Sequence, residues 1–156
     1  MIHLDIPGLG PIELRFLVCD YSGTLSVDGV LVPGIERYLS MASQLLDVHI
    51  ITADTHGKAR DQLAKVNATV HILEGDLHDA VKVDYITSLG AEYCIALGNG
   101  NNDIGMLRAA RIGVMVLLEE GCSSAAMQSA DIVVRSAADA IDLVLNPNRL
   151  KATLRC

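Results

Sequence analysis

The chain has 156 residues, of which 51% are hydrophobic and 20% charged, and its mean hydropathy is +0.36. That excludes a disordered chain and suffices for one domain with a sizeable core. Twelve Lys and Arg against nineteen Asp and Glu leave a net charge of −7, which argues against a general nucleic-acid binder. Aromatic residues are 3%, with no Trp and Phe16 as the single Phe, so stacking platforms and aromatic ligand cages are not expected. No apolar run approaches the ~18 residues of a membrane span. The opening MIHLDIPGLGP has no basic stretch and carries Asp5, so it is not expected to be a signal peptide. Cys19, Cys94, Cys122 and Cys156 are scattered without a CxxC pair. They are expected to be reduced thiols of a cytoplasmic protein, with Cys19 and Cys94 as small core residues.

In chain order, IHLDI, the turn cluster Pro7–Pro11 and IELRFLVC predict an N-terminal hairpin. Leu25 and Val27, then Asp28-Gly29, then Val30 and Val32 predict a second hairpin over 24–32, with a two-residue turn. A helix follows, marked by Ile35, Leu39, Ala42 and Leu46 at spacings of three and four. The short β-branched runs 48–52, 69–73, 93–97, 112–116 and 131–134 read as strands buried on both faces. Between them, Val81, Tyr85 and Leu89, then Ile104, Leu107 and Ala110, predict helices. Ser136 followed by Asp139 predicts a helix start, and Pro147 its end. This alternation implies an α/β domain with a parallel sheet crossed right-handedly and covered on both sides. The whole of 1–156 is expected to be one catalytic domain.

Ligands of open α/β sheets bind beyond the carboxyl ends of the strands. Asp20-Tyr21-Ser22-Gly23-Thr24-Leu25 follows the first long strand. Thr52-Ala53-Asp54 follows the second, Lys82 lies early in a helix, and Gly98-Asn99-Gly100-Asn101-Asn102-Asp103 follows the run ending at Leu97. Singly, these are a turn former, a cap, a surface lysine and a turn. Together, at one sheet edge, they supply a nucleophilic carboxylate, a hydroxyl for phosphoryl oxygens, an ammonium and hard oxygen ligands for Mg²⁺. GNGNND is a poor dinucleotide loop, because Asp103 stands where the third Gly belongs. His71, Glu74, Asp76, His78 and Asp79 read as a solvated loop and helix start rather than a metal cluster.

From Phe16 to about Asp131 the four elements resemble motifs I to IV of the haloacid dehalogenase (HAD) superfamily. D-x-S-G-T-L at 20–25 is similar to the D-K-T-G-T of P-type ATPases, and GNGNND at 98–103 to G-D-G-x-N-D. MLRAARIGVMV and SADIVV are similar to the segments that follow in those ATPases. No transmembrane or nucleotide-binding segment accompanies them, so ion pumping is not expected.

The resemblance implies a HAD-type Rossmannoid three-layer α/β/α fold without a cap domain, its sheet ordered 3-2-1-4-5 with an extra edge strand. It implies an aspartyl-phosphate mechanism with Asp20 as nucleophile and a small phosphorylated substrate. Asp20, the Ser22 carbonyl, Asn99 and Asp103 would hold Mg²⁺. Thr52, Ala53, Lys82 and Asn102 would meet the substrate. Asp54 and His56, close after Thr52, are each expected either to reach the substrate or to cap the next helix. Cap-less members often oligomerise or take macromolecular substrates, which implies a homo-oligomer, dimer or tetramer, with hairpin 24–32 at the contact or folded on its own domain.

Two positions depart from the pattern. Ser22 stands where HAD phosphatases carry a second Asp, so proton transfer to the leaving group and from water should be slow. Asn99 stands where the motif has its first Asp, removing one charge from the metal site. A phosphate- or partner-binding module with little turnover is therefore the alternative to an enzyme.

Overall fold

The computed structural model describes residues 1–54 and 57–156. The chain opens with an antiparallel hairpin of β1 (Ile2–Ile6) and β2 (Gly10–Leu14). Strand β3 (Phe16–Asp20) enters the main sheet, and β4 (Ser26–Val27) and β5 (Val30–Leu31) form a small second hairpin. Then come α1 (Ile35–Ala42), β6 (Asp47–Thr52), α2 (Ala59–Gln62), β7 (Thr69–Ile72) and α3 (His78–Leu89). The second half is β8 (Cys94–Gly98), α4 (Ile104–Ala109), β9 (Ile112–Val116), α5 (Ser124–Met127), β10 (Ile132–Val134), α6 (Ala137–Leu145) and α7 (Pro147–Leu154).

The central sheet runs β10-β9-β8-β3-β6-β7 with every pairing parallel. Counted from β3, this is the expected 3-2-1-4-5 order, with β10 as the extra edge strand. Side chains alternate between two layers, as the two-residue period requires. Leu17, Cys19, Ile50, Ile95, Leu97 and Val114 face the layer of α1 and α6, where Ile35, Leu39 and Ile141 complete a core. Val18, Ile51, Ala96 and Met115 face α3 and α4, where Ile86, Met106 and Leu107 lie. Each fully buried aliphatic side chain contributes about 1.5–3 kcal/mol, so this two-sided packing fixes where β3, β6 and β8 end. Among the described residues no helix is long and apolar enough to cross a membrane.

Three local expectations change. The run IELRFLVC is not one strand: it breaks at Arg15, whose N–H donates to Tyr93 and whose carbonyl accepts from Asp47. Leu14 and Leu17 are both fully buried, in the hairpin and the sheet respectively, so the apolar run hides the break. On α3 the buried positions are Lys82 and Ile86, with Val81, Tyr85 and Leu89 on its flanks. Pro147 ends α6 as expected but also opens α7, where a proline loses nothing at the first turn. Leu150 of α7 joins the core, and Cys156 N–H donates to the Pro7 carbonyl. The expected Ser136 cap is present, its Oγ accepting from Asp139 N–H at 2.9 Å. Cys19 and Cys94 are buried free thiols.

Candidate active site

Asp20 ends β3, flanked by the ends of β6 and β8. The chain then folds into a tight turn, in which the Tyr21 carbonyl accepts from the N–H groups of Thr24, Leu25 and Ser26 and from Ser26 Oγ. Gly23 has φ +76°, and a Cβ there would lie 2.3 Å from Asn99 Nδ2, so the turn requires glycine on both counts. It brings Thr24 back over the strand end. Thr24 Oγ1 lies 3.1 Å from Asp20 Oδ2 and 3.2 Å from Asn99 Oδ1, and can donate to either. The second hairpin then folds over this turn. Leu25 and Leu31 are buried on the chain's own core and Val30 is 58% exposed, so its inner face lies on its own domain.

Lys82 reaches the site from α3 with 1% of its surface exposed. Its Nζ donates to Asp20 Oδ1 at 2.6 Å and to Asp103 Oδ1 at 2.7 Å. Asp103 Oδ2 accepts from the N–H groups of Asn99 and Gly100, both at 2.9 Å. A Cβ on Gly98 would meet the Asp103 side chain at 2.6 Å, so glycine there lets the carboxylate fold back under its own loop. Asn99 is held from the other side, its Nδ2 donating to the Gly121 carbonyl and its carbonyl accepting from Ser123 N–H.

The cluster holds two carboxylates and one ammonium, nearly out of water. Burial, then the nearby Asp103, push the Asp20 carboxyl up to about 7 against the pull of Lys82 and Thr24. Burial pulls Lys82 down, but Asp20 and Asp103 outweigh it and its pKa is raised. The ammonium is therefore firmly charged, and the site has room electrostatically for another cation beside Asp20.

Thr52 is fully buried at the end of β6, its Oγ1 accepting from Asp54 N–H at 2.9 Å. Asp54 serves as a cap: its Oδ1 accepts from Lys58 and Ala59 N–H at the start of α2. Ser22 and Ala53 are half-buried and Asn102 is exposed. His56 lies outside the described residues. The sequence motifs therefore converge at Asp20, Lys82, Asn99 and Asp103, with Ser22 on the loop that follows β3 and Thr52 at the end of β6.

Two features escape a sequence reading. Thr24 carries a bond to Asp20 that its place in the motif did not assign. Asp103, expected as a metal ligand, has both oxygens hydrogen-bonded within the site. Its Oδ2 is saturated by two amides, and a dication at Oδ1 would face the Lys82 ammonium. Its observed contacts make it the anchor of Lys82.

The donors left for Mg²⁺ are the Asp20 carboxylate, the Asn99 amide oxygen and the Ser22 backbone carbonyl. Among the described residues no three His, Cys, Asp or Glu side chains converge on one point. Asp20 Oδ2 and Asn99 Oδ1 converge on the same Thr24 hydroxyl. Hard oxygens, an unbalanced buried carboxylate and few protein ligands fit Mg²⁺, which keeps several of its waters.

No protein-family model matches the chain. An uncharacterized protein of Methanocaldococcus jannaschii is 54% identical over 61 residues, 39% of this chain and 66% of that protein. A phospholipid-transporting ATPase of Caenorhabditis elegans is 28% identical over 78 residues, half of this chain but 7% of that one. The chain thus spans less than two thirds of either relative. Its fold matches the magnesium-, phosphate- and KDO-bound 3-deoxy-D-manno-octulosonate 8-phosphate phosphatase of Moraxella catarrhalis, with TM-score 0.69, 18% identity, and 91% and 94% of the two chains covered. It matches the cobalt-bound phosphatase of that type from Haemophilus influenzae at TM-score 0.70 and 14% identity, covering 92% and 94%. A putative HAD hydrolase of Legionella pneumophila follows at TM-score 0.61 and 20% identity, covering 90% and 87%. The chain has the cap-less fold of the haloacid dehalogenase superfamily.

Proposed function

We propose that the protein is a slow Mg²⁺-dependent phosphohydrolase or phosphotransferase that works through a phosphorylated Asp20. The observation that carries this is the buried Asp20 carboxylate at the end of β3, bonded to Lys82 at 2.6 Å and Thr24 at 3.1 Å. An Asp20 oxygen forms a bond to phosphorus as the bond from phosphorus to the leaving oxygen breaks, and that oxygen takes a proton from water. A second water then attacks phosphorus, the acyl phosphate P–O bond breaks, and inorganic phosphate leaves with the carboxylate restored.

Lys82 holds the carboxylate in place and offsets phosphoryl charge, and Asp103 positions Lys82. Thr52, Ala53 and Asn102 are assigned to the phosphoryl group and its substituent. Mg²⁺ bound by Asp20, Asn99 and the Ser22 carbonyl would supply positive charge against the phosphoryl oxygens. A small phosphorylated molecule is the substrate class, by analogy with the sugar phosphate named for the fold's relatives.

The test is release of phosphate from acetyl phosphate and p-nitrophenyl phosphate with and without Mg²⁺. Asp20→Asn should abolish release and acid-stable labelling while leaving the fold intact. Undiminished release in that variant overturns the reading.

Ser22 favours a second reading, a phosphate- or partner-binding module. With no carboxylate two residues after Asp20, no general acid or base is evident for turnover. Phosphate binding without phosphate release from either donor would select it.

A further inference from the structure

A groove of about 670 Å³ opens at the carboxyl edge of the sheet, where β9 and β10 end. The segment that follows β9 contributes Leu117 and Leu118 to it, and the second hairpin contributes Val27 and Val30. Val30 is 58% exposed and Leu117 38%, so large apolar side chains stand in water here. The polar residues of the lining are Glu119, Arg135 and Ser136. Ser136 Oγ is already engaged, accepting from Asp139 N–H at 2.9 Å.

The groove is preformed and continuous with the candidate site. Asp28 N–H donates to Glu120 Oε1 at 2.7 Å, which ties the hairpin to the segment after β9. Leu25 and Leu31 root the hairpin in the core, and Gln62 bonds its Gly29 carbonyl and Leu31 N–H. One residue after Glu120, the Gly121 carbonyl accepts from Asn99 Nδ2 at 3.1 Å. Asn99 Oδ1 in turn shares the Thr24 hydroxyl with Asp20. Neighbouring strands stand about 4.8 Å apart and β9 is two strands from β3, so their ends lie roughly 10 Å apart. The groove has the size of an ordinary ligand pocket, and it lies at the edge where ligands of such sheets bind.

We infer that this groove receives the body of the substrate, which is a phosphate monoester with a long aliphatic chain. The inference rests on the reading of Asp20 as the group that meets phosphorus. Lys82 supplies charge for the phosphoryl end, and the aliphatic lining supplies contact for the chain. A sugar such as the one named for the fold's relatives would lose water from its hydroxyls here and find few partners. Each buried methylene instead strengthens binding about fourfold. The junction with Asn99 and Asp20 selects a phosphate ester over a second copy of the protein as the occupant.

Alkylphosphonates, which cannot be hydrolysed, test it without turnover. Ethyl-, hexyl- and decylphosphonate are titrated against the intact protein with Mg²⁺ by calorimetry. Ethyl and hexyl should bind alike, because neither chain spans the gap to the groove. Decyl should bind about tenfold or more tightly than hexyl. In methyl NMR, decyl but not ethyl should shift the signals of Val30 and Leu117. Excess inorganic phosphate should reverse those shifts by taking the place of the headgroup. Val30→Thr/Leu117→Gln changes two exposed positions and should cut the decyl-to-ethyl affinity ratio about tenfold.

Equal affinity for all three chains overturns the groove as a substrate subsite. So does a dimer, seen by light scattering, that the double variant dissolves while chain length has no effect; the occupant is then a second copy. Decyl-induced shifts that inorganic phosphate leaves in place overturn the link to Asp20. If acetyl phosphate never phosphorylates Asp20, the functional reading fails, while the chain-length series still decides the groove.

Discussion

Lys82 and Gln62 each make two hydrogen bonds across the site, and the two pairs differ in almost everything else. Lys82 is charged, buried and bonded to two side chains, Asp20 and Asp103. Gln62 is neutral, half-buried and bonded to main-chain groups of the hairpin. Losing the first leaves two carboxylates facing each other out of water. Losing the second leaves an N–H and a carbonyl that water can reach. The charged pair is therefore the costlier of the two to break.

Removing the ammonium is the strongest way to break this contrast. Lys82→Met should destabilise the protein by about 3–5 kcal/mol, the usual cost of leaving a buried charge without its partner. Urea unfolding of wild type and variant measures it. Replacing Asp103 as well, in Lys82→Met/Asp103→Asn, should return part of that loss by leaving one buried carboxylate in place of two. A cost for Lys82→Met no larger than that for Gln62→Met would mean that the two pairs hold equally.

Ser22→Asp should sharpen the contrast kinetically. It places a carboxylate two residues after Asp20 without touching either pair of bonds. General acid–base assistance is worth about 10²–10⁴-fold, and hydrolysis of the phosphoenzyme should gain the lower part of that range. Rapid mixing with labelled acetyl phosphate would show wild-type intermediate accumulating and the variant's decaying. If the wild-type intermediate never accumulates, Ser22 does not limit the rate.

Asn99→Asp comes next. Another carboxylate on a hard-oxygen site should lower the Mg²⁺ concentration for half-maximal activity about tenfold. A titration that does not move would remove residue 99 from the ligand set.

The same contrast explains what could be read in the chain before its fold was known. Asp20, Thr52, Lys82 and the Asn99–Asp103 loop were legible because parallel strands must end at one edge, and strands buried on both faces announce themselves as apolar runs. The Asp28-Gly29 turn was legible because Asp28 and Gly29 both take positive φ there. Gln62 was not. Its partners are the Leu31 N–H and the Gly29 carbonyl, main-chain groups that every residue has, so no pattern of side chains marks it. Asp103 was legible as a carboxylate at the site, but residue type does not show which donors its oxygens meet, here Lys82 and the N–H groups of Asn99 and Gly100. On α3 the buried ammonium occupies a core position, so a hydrophobic periodicity passes over Lys82 and picks out its flanks. The break at Arg15 was hidden for a related reason: two separate sheets bury the same kind of run.

The smallest expected effect lies on the same helix one turn beyond Lys82, where α3 meets the edge of the sheet. Tyr85 there hydrogen-bonds His49 Nδ1 on β6 at 2.8 Å, and the His49 ring also stands edge-on to Phe16. Burial lowers the His49 pKa and Asp47 opposes it only in part. Folding thus favours the neutral imidazole, while the unfolded chain takes up a proton near its ordinary value of about 6.5. Stability is therefore full above that value and falls as pH drops through it, until the folded ring also protonates. The ring is half-buried, so the loss should be small, on the order of a few tenths of a kcal/mol. Urea unfolding at pH 8, 7, 6 and 5 would measure it in wild type and in His49→Gln, which keeps a polar partner for the Tyr85 hydroxyl. The carboxylates titrate alike in both proteins, so the wild-type curve should drop away from the variant's below about pH 6.5. Parallel curves would mean that the contact holding this turn of α3 is indifferent to protonation, and that the helix rests on the Lys82 cluster and apolar packing alone.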